Sequence, residues 1–326
     1  MSRSIGLAHV IRQPDGTTRG IWGNYVVCSA FQPIFEFRDG RLAIAAFEGL
    51  VRPFRDGESV SPGRFFKSIP AQDRLEVETL TRTIHLLNAG KFLDPATRLF
   101  VNFDPSVFTN REIADRALRE MRLTLHEAGI DPARIVCEVT EHKVESHQAL
   151  LDFVAALRAH NYSIAVDDYG ADDSDMNRIR ELKPEIVKFD AAWIVKLMDS
   201  APGYQLLREM VDTFNGWGIE TLFEGIEEHW QLELAEKCNV RLVQGFVVAK
   251  PQLAPTEFAI FSKARDDGKE TSIRFGSSEL QEAGAIVAAE EKQESPHETA
   301  PIRQPVHGAA AAERHPKAFG RRMARP

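Results

Sequence analysis

The sequence predicts an α/β fold: a (β/α)8 TIM-like barrel with an antiparallel first strand, followed by a disordered C-terminal tail. Three observations point there. Short β-branched runs alternate with longer amphipathic stretches, which is the pattern of parallel βαβ units. The block that alternates, residues 24–264, is close to the roughly 250 residues such a barrel needs. Its opening breaks the alternation, because two apolar runs there are joined by a link too short to hold a helix.

Residues 1–23 read as a flexible N-terminal segment. FQPIFEF and LAIAAFEGLVR follow, separated only by Arg38-Asp39-Gly40-Arg41. So short a link containing Asp-Gly makes a hairpin, and one strand must run antiparallel to its neighbour. The next expected strands are LFVNFD (99–104), IVCEVTE (135–141), SIAVDD (163–168), EIVKFD (185–190), ETLFEGI (220–226) and VRLVQGF (240–246). Between them lie helical segments such as EIADRALREMRLTLHEAG, SHQALLDFVAALRAHN and YQLLREMVDTFNGWG, the last ending in a glycine cap. Residues 265–326 read as a disordered tail, rich in Ala, Glu, Pro and Arg and poor in large apolar residues.

The 326 residues are 43% hydrophobic, enough to supply a core. No run approaches the roughly 18 apolar residues of a membrane helix, and the opening lacks the apolar centre of a secretion signal, so a cytoplasmic location is expected. Cys28, Cys137 and Cys238 have no CxxC spacing and are expected to pack the core. A net charge of −8 argues against general nucleic-acid binding, because phosphate backbones are gripped mainly by Lys and Arg.

A polar residue interrupts each apolar run near its end: Glu48, Asn102, Glu138, Asp167 with Asp168, Lys188, Glu224 and Gln244. In a (β/α)8 barrel the C-terminal strand ends converge on one face, where active sites are built. The stretch SIAVDDYGADDSD makes the point sharply. Successive strand side chains alternate between faces, so Asp167 shares the face of Ala165 and Asp168 that of Val166. Two unpaired carboxylates there are expensive to desolvate, so the pocket should hold a cation or open to water. Oxygen-rich acidic pockets select hard ions such as Mg²⁺ or Mn²⁺, and the lack of paired histidines counts against zinc. Asp167, at the end of a central strand, is the candidate to bridge two ions. Taken singly, each residue has a structural explanation. Glu48 or Glu138 could pair with an arginine, Gln244 could bond a neighbouring strand, and Lys188 could snorkel to solvent. Seven strand ends in succession make coincidence a poor account.

FQPIFEF, FEGLVRP, VNFDPSVF, CEVTEH, VDDYG, VKFD, FEGIEE and VQGF, in that order over residues 24–256, resemble the EAL domain. That is the bacterial phosphodiesterase that opens cyclic di-GMP. The resemblance implies that Glu48, Asn102 and Glu138 hold a first metal, that Asp167 bridges, and that Asp168 and Glu224 serve a second. It implies that Lys188 holds the attacking water, that Glu227 and Gln244 are further polar residues of the active site, and that Arg52 contacts the ligand. Glu141 matches a glutamate that braces the loop after the paired aspartates. Two departures stand out. Glu48-Gly49-Leu50 has glycine where the family usually has alanine, and Asp172, Asp173 and Asp175 replace glycine, tyrosine and serine in a loop that couples the metal site to the family's dimer interface.

The expected activity is therefore metal-dependent hydrolysis of cyclic di-GMP to linear pGpG, with two Mg²⁺ or Mn²⁺ per site. A non-catalytic cyclic di-GMP receptor acting through a partner is the alternative, and a hydrolase of another phosphoester the third reading. A homodimer is implied by the resemblance, and the acidic loop could weaken it by like-charge repulsion. No GGDEF synthase, receiver or sensor domain fits the short N-terminal segment, so regulation is expected from an unidentified regulatory protein, the loop, the tail or expression.

Overall fold

A computed structural model describes residues 2–5, 8–38, 40–108, 111–140, 147–171, 176–258 and 273–274. The chain opens with three strands, β1 (Ser2–Ile5), β2 (Ala8–Arg12) and β3 (Thr18–Trp22). A long hairpin follows, β4 (Tyr25–Arg38) and β5 (Arg41–Arg55), with the short β6 (Glu58–Ser59) folding back on it. Helices α1 (Pro62–Ser68) and α2 (Arg74–Phe92) lead to β7 (Arg98–Phe103) and α3 (Arg111–Ala128). Then come β8 (Ile135–Thr140), α4 (His147–Ala159), β9 (Ser163–Tyr169), α5 (Met176–Leu182) and β10 (Ile186–Phe189). Helices α6 (Ala191–Met198) and α7 (Ala201–Gly216), β11 (Glu220–Phe223), α8 (His229–Lys237) and β12 (Leu242–Val243) complete the repeat, with β13 (Gln252–Leu253) and β14 (Ile273–Arg274) beyond it.

Eight of these strands close a barrel in the order β4-β12-β11-β10-β9-β8-β7-β5, with β5 pairing back to β4. Neighbours from β5 round to β12 are parallel, whereas β4 is antiparallel to both β5 and β12. The expected irregular first strand is therefore β4. The hairpin link turns at Gly40, whose φ of +70° suits glycine. Cys137 and Cys238 are buried in the apolar layer between barrel and helices. Among the described residues, no helix is long and apolar enough to cross a membrane.

One bulge sets the phase of the hairpin. Phe35 pairs with Ile44, yet Ile34 pairs with Ala46, so Ala45 is an extra residue on β5. Side chains alternate along a strand, and an inserted residue flips every later one to the opposite face. Leu42 and Phe47 pack in the outer layer, while Ala46 points into the barrel. Without the bulge, Glu48 would face the helices.

The N-terminal segment departs from expectation. Residues 8–22 are not a flexible lead-in: β2 and β3 pair antiparallel and extend the sheet onto the first three residues of β4, Tyr25, Val26 and Val27. Ala8 and Val10 pack with Tyr25, Val27, Val51, Phe65 and Leu80 in a second core beside the barrel. Each strand has only five residues, with charged or small neighbours between its inward ones, so no sustained apolar run marks them. VRLVQGF also contracts to the two residues of β12, because Gln244 and Gly245 already belong to the turn that follows. Of the expected tail only Ile273–Arg274 is described, paired with Leu42 and Arg41 of β5. The rest of it lies outside the described residues.

Candidate active site

The barrel interior is built in rings. Ile34, Ala46, Phe100, Val136, Ala165, Ile186, Leu222 and Leu242, one from each barrel strand, form an apolar cluster. Two residues further along every parallel strand stands a polar residue: Glu48, Asn102, Glu138, Asp167, Lys188, Glu224 and Gln244. A step of two keeps a side chain on the same face. On β4, which runs the other way, the equivalent position is two residues earlier, Gln32, paired in register with Glu48. Gln32 was not among the residues anticipated from sequence. Its signal was masked twice, by the reversed strand direction and by the bulge at Ala45, which shifts the pairing that a simple count from the turn would give.

Lys188 is the centre of this second ring. It is only 1% exposed, so it does not snorkel to solvent. Its Nζ lies 2.7 Å from Glu224 Oε1, 3.0 Å from Asp167 Oδ1 and 3.7 Å from Glu48 Oε1, and it also contacts Glu138 Oε1. Burial alone would lower the lysine pKa, but the charges of Asp167, Glu138, Glu224 and Glu48 outweigh it and raise the value well above the usual range. Two of the carboxyl groups, Glu138 and Glu224, are shifted as well. Burial raises Glu138 well above an ordinary carboxyl, against the pull of Lys188, and pushes Glu224 up to about 8. Gln244 Nε2 donates to Glu48 Oε2 at 2.8 Å. Gln244 is itself held in place: its N–H donates to Phe223 O, its carbonyl accepts from Ile226 N, and a Cβ on Gly245 would meet Ile226 O at 2.0 Å.

The paired aspartates separate. Val166 pairs with Val187 and Tyr169 with Phe189, so Asp167 and Asp168 together face the single residue Lys188. This second bulge has Asp168 at a φ of +58°, a left-handed conformation that Asp tolerates better than most residues. In regular alternation Asp168 would share the face of Val166, as expected from sequence. The bulge instead leaves Asp168 exposed and sends Tyr169 into an aromatic cluster with Phe189, Trp193 and Phe214.

Six anticipated residues are thus brought together: Glu48, Glu138, Asp167, Lys188, Glu224 and Gln244. Asn102 is exposed at the rim, opposite Glu138 in the β7–β8 register. Arg52 is half-buried on the Glu48 side of β5 and donates to Val51 O. Glu227 faces solvent, and its backbone N–H is taken by Gln231. Glu141 and the loop acids Asp172, Asp173 and Asp175 lie outside the described residues.

The arrangement is acidic and oxygen-rich, yet its carboxylates converge on an ammonium rather than on one another. Among the described residues, no three His, Cys, Asp or Glu side chains already form a group able to hold an ion. Both oxygens of Glu138 and Asp167 Oδ1 are buried without a satisfied hydrogen bond, although Lys188 Nζ lies close to two of these three. Buried oxygens left in this state favour any cation that can reach them.

The chain is similar to several known proteins. The chain is similar to the uncharacterized EAL-domain containing protein YkuI of Bacillus subtilis (strain 168), with 29% identity over 227 residues, 68% of this chain and 54% of that one. It is also similar to the probable cyclic di-GMP phosphodiesterase PdeA of Escherichia coli (strain K12), with 23% identity over 63% of this chain and 28% of that one. Among solved structures it resembles Klebsiella pneumoniae BlrP1 in its calcium and cyclic di-GMP complex, with a TM-score of 0.62, 26% identity, and 70% and 56% of the two chains covered. YkuI, solved with cyclic di-GMP and calcium, gives a TM-score of 0.61 at 25% identity, covering 82% of this chain and 62% of that one. The chain spans about half or less of the length of the curated relatives it matches. Residues 24–251, which include all eight barrel strands and the polar ring they carry, match the EAL domain, and the chain belongs to that family.

Proposed function

We propose that this protein hydrolyses one phosphodiester bond of cyclic di-GMP to give linear pGpG, with Mg²⁺ or Mn²⁺, two per active site. The observation that carries the reading is the ring of Glu48, Glu138, Asp167 and Glu224 around Lys188 at the C-terminal end of an EAL barrel. The donor types fit hard divalent ions, and the unsatisfied oxygens of Glu138 and Asp167 fit a cation better than they fit the lysine alone. Glu48, Asn102, Glu138, Asp167, Asp168 and Glu224 are the residues that would hold the ions, and Asp167 is the one that would serve both. Divalent ions bound there would supply Lewis acidity and offset a negative field that otherwise repels a dianionic substrate.

The remaining roles belong to the chain itself. Lys188 is fixed by its carboxylates and keeps its charge, so its Nζ orients the attacking water by donating a hydrogen bond and faces the charge that develops on phosphorus-bound oxygen. Gln244 holds Glu48 in a single orientation. Arg52, on the same face of β5 two pleats above Glu48, contacts the ligand, and Glu227 lines the outer mouth. The same site is read as working in a cytoplasmic homodimer under an unidentified regulatory protein.

A cyclic di-GMP receptor is the second reading, favoured by the convergence of Glu48, Glu138, Asp167 and Glu224 on Lys188. Incubation with cyclic di-GMP and Mg²⁺ or Mn²⁺, followed by chromatographic separation of the nucleotides, tests the first reading. Product that requires metal and disappears in Glu48→Ala supports hydrolysis. Nucleotide binding without product under both metals rejects it. Asp167→Asn then separates the two, because an enzyme loses turnover whereas a receptor keeps its output.

A further inference from the structure

Between Glu48 and Leu50, β5 carries a glycine, and the space its missing side chain leaves is filled from α2. A Cβ on Gly49 would lie 3.1 Å from His85 Cγ, 3.2 Å from Cδ2 and 3.3 Å from the His85 Cβ. The imidazole therefore sits against the back of the strand, on the face opposite Glu48 and Arg52. It is buried, its edge meets Phe31 of β4, and its Nδ1 is 2.9 Å from Ser29 Oγ. Ser29 also accepts from Asn88 Nδ2 at 3.0 Å, one helical turn further along α2. Asn88 then pairs with Thr18 of β3 as a strand residue would. Its Oδ1 accepts from Thr18 N at 2.7 Å, and its Nδ2 donates to Thr18 O at 2.8 Å.

Glycine within a strand is the residue with most backbone freedom to lose, and it offers no side chain to pack. At position 49 that looseness would fall between the two side chains that the proposed function assigns to metal and ligand. We propose that His85 is a positioning residue, whose ring restores the contact Gly49 lacks and holds the Glu48–Arg52 segment at one height. The Asn88–Thr18 pairing makes the N-terminal strands part of the same support. The roles of Glu48 and Arg52 rest on the reading above, whereas the support of β5 by His85 does not.

The experiment uses the full chain as wild type, His85→Ala, Gly49→Ala and the double variant Gly49→Ala/His85→Ala, below the melting temperature of each. Calcium affinity is measured by titration calorimetry, and amide hydrogen exchange is followed at residues 48–52. The expected result is about a tenfold loss of calcium affinity in each single variant, the size typical of removing support behind a metal ligand. Exchange at 48–52 quickens in His85→Ala, and the double variant recovers most of both properties, because the new methyl occupies the vacated space. A lowered melting temperature with unchanged calcium affinity and unchanged exchange at 48–52 overturns the proposal, since His85 would then only fill the core. If wild type binds no calcium, the metal reading falls, and the exchange pattern alone supports or overturns the role of His85.

Discussion

Two adjacent rings of one barrel share strands, backbone hydrogen bonds and closure, yet differ in almost everything else. The lower ring, from Ile34 to Leu242, is apolar and fully buried. The upper ring, two residues away on every strand, gathers four carboxylates round one buried lysine and leaves Glu138 unsatisfied. The contrast with the opposite end of the barrel is as sharp. There Glu36 is matched by both Arg38 and Arg241, and Glu220 takes a two-pronged contact from Arg98. A sheet's backbone is indifferent to which ring is polar, so stability can be built in one layer and chemistry in the next. Among the described residues, the buried carboxylate oxygens without a hydrogen-bond partner, those of Glu138 and Asp167, lie in the upper ring.

The largest effect is expected from breaking the upper ring at its centre. Lys188→Met leaves buried carboxylates facing one another and should cost about 3 to 5 kcal/mol of stability in chelator. Much of that should return when Mg²⁺ or Ca²⁺ is added, as thermal unfolding in the two conditions would reveal. Leu222→Ala, in the lower ring, should cost about 3 kcal/mol by leaving a cavity, with no recovery on adding the ion. Equal sensitivity of the two variants to divalent ions would erase the distinction between the rings.

A smaller effect concerns the polar support outside the barrel. Burial, together with the charges of Arg52 and Arg82, pushes His85 down from 6.5 to about 3. A base whose folded pKa lies below its unfolded one gives its full stabilisation above the unfolded value. That stabilisation is lost as pH falls from there toward the folded value. Cooling of the melting temperature between pH 7 and about pH 5 should therefore include about 2 kcal/mol from His85, and His85→Gln should flatten that slope. The smallest change is Gln32→Leu, which removes one hydrogen bond to Ala249 O from the eighth position of the upper ring. It should cost about 1 kcal/mol, or roughly 2 to 4 °C in melting temperature.

Seven of the eight upper-ring positions were legible because a period of two and a parallel strand direction leave a plain mark: an acid, amide or lysine ending each apolar run. Gln32 was hidden by reversed direction and a one-residue bulge, neither of which leaves a trace in hydrophobicity. The bulge at Asp167-Asp168 was equally silent, so alternation placed Asp168 on the face of Val166, whereas the bulge leaves it exposed. His85 and Asn88 could not be read as interior residues, because polar side chains on a helix look like its solvent face until the space behind Gly49 is seen. Strands β2 and β3 escaped notice because their buried positions, Ala8 and Val10 on one and Thr18 and Gly20 on the other, carry too little apolar pattern.

Closure of the ring by β4 and β12 has a consequence for how the protein is made. Arg241 and Glu36, which meet beside the closing strands, are 205 residues apart in sequence. At a synthesis rate of about 5 to 20 residues per second, the lower edge of β4 waits roughly 10 to 40 s for its partner. During that interval β3 can cover only Tyr25, Val26 and Val27 at the start of the strand. The uncovered stretch carries Glu36 and Arg38, and charges on an open edge discourage pairing with other chains. The same glutamate that is neutralised by two arginines in the finished barrel thus guards the nascent one against aggregation until β12 arrives.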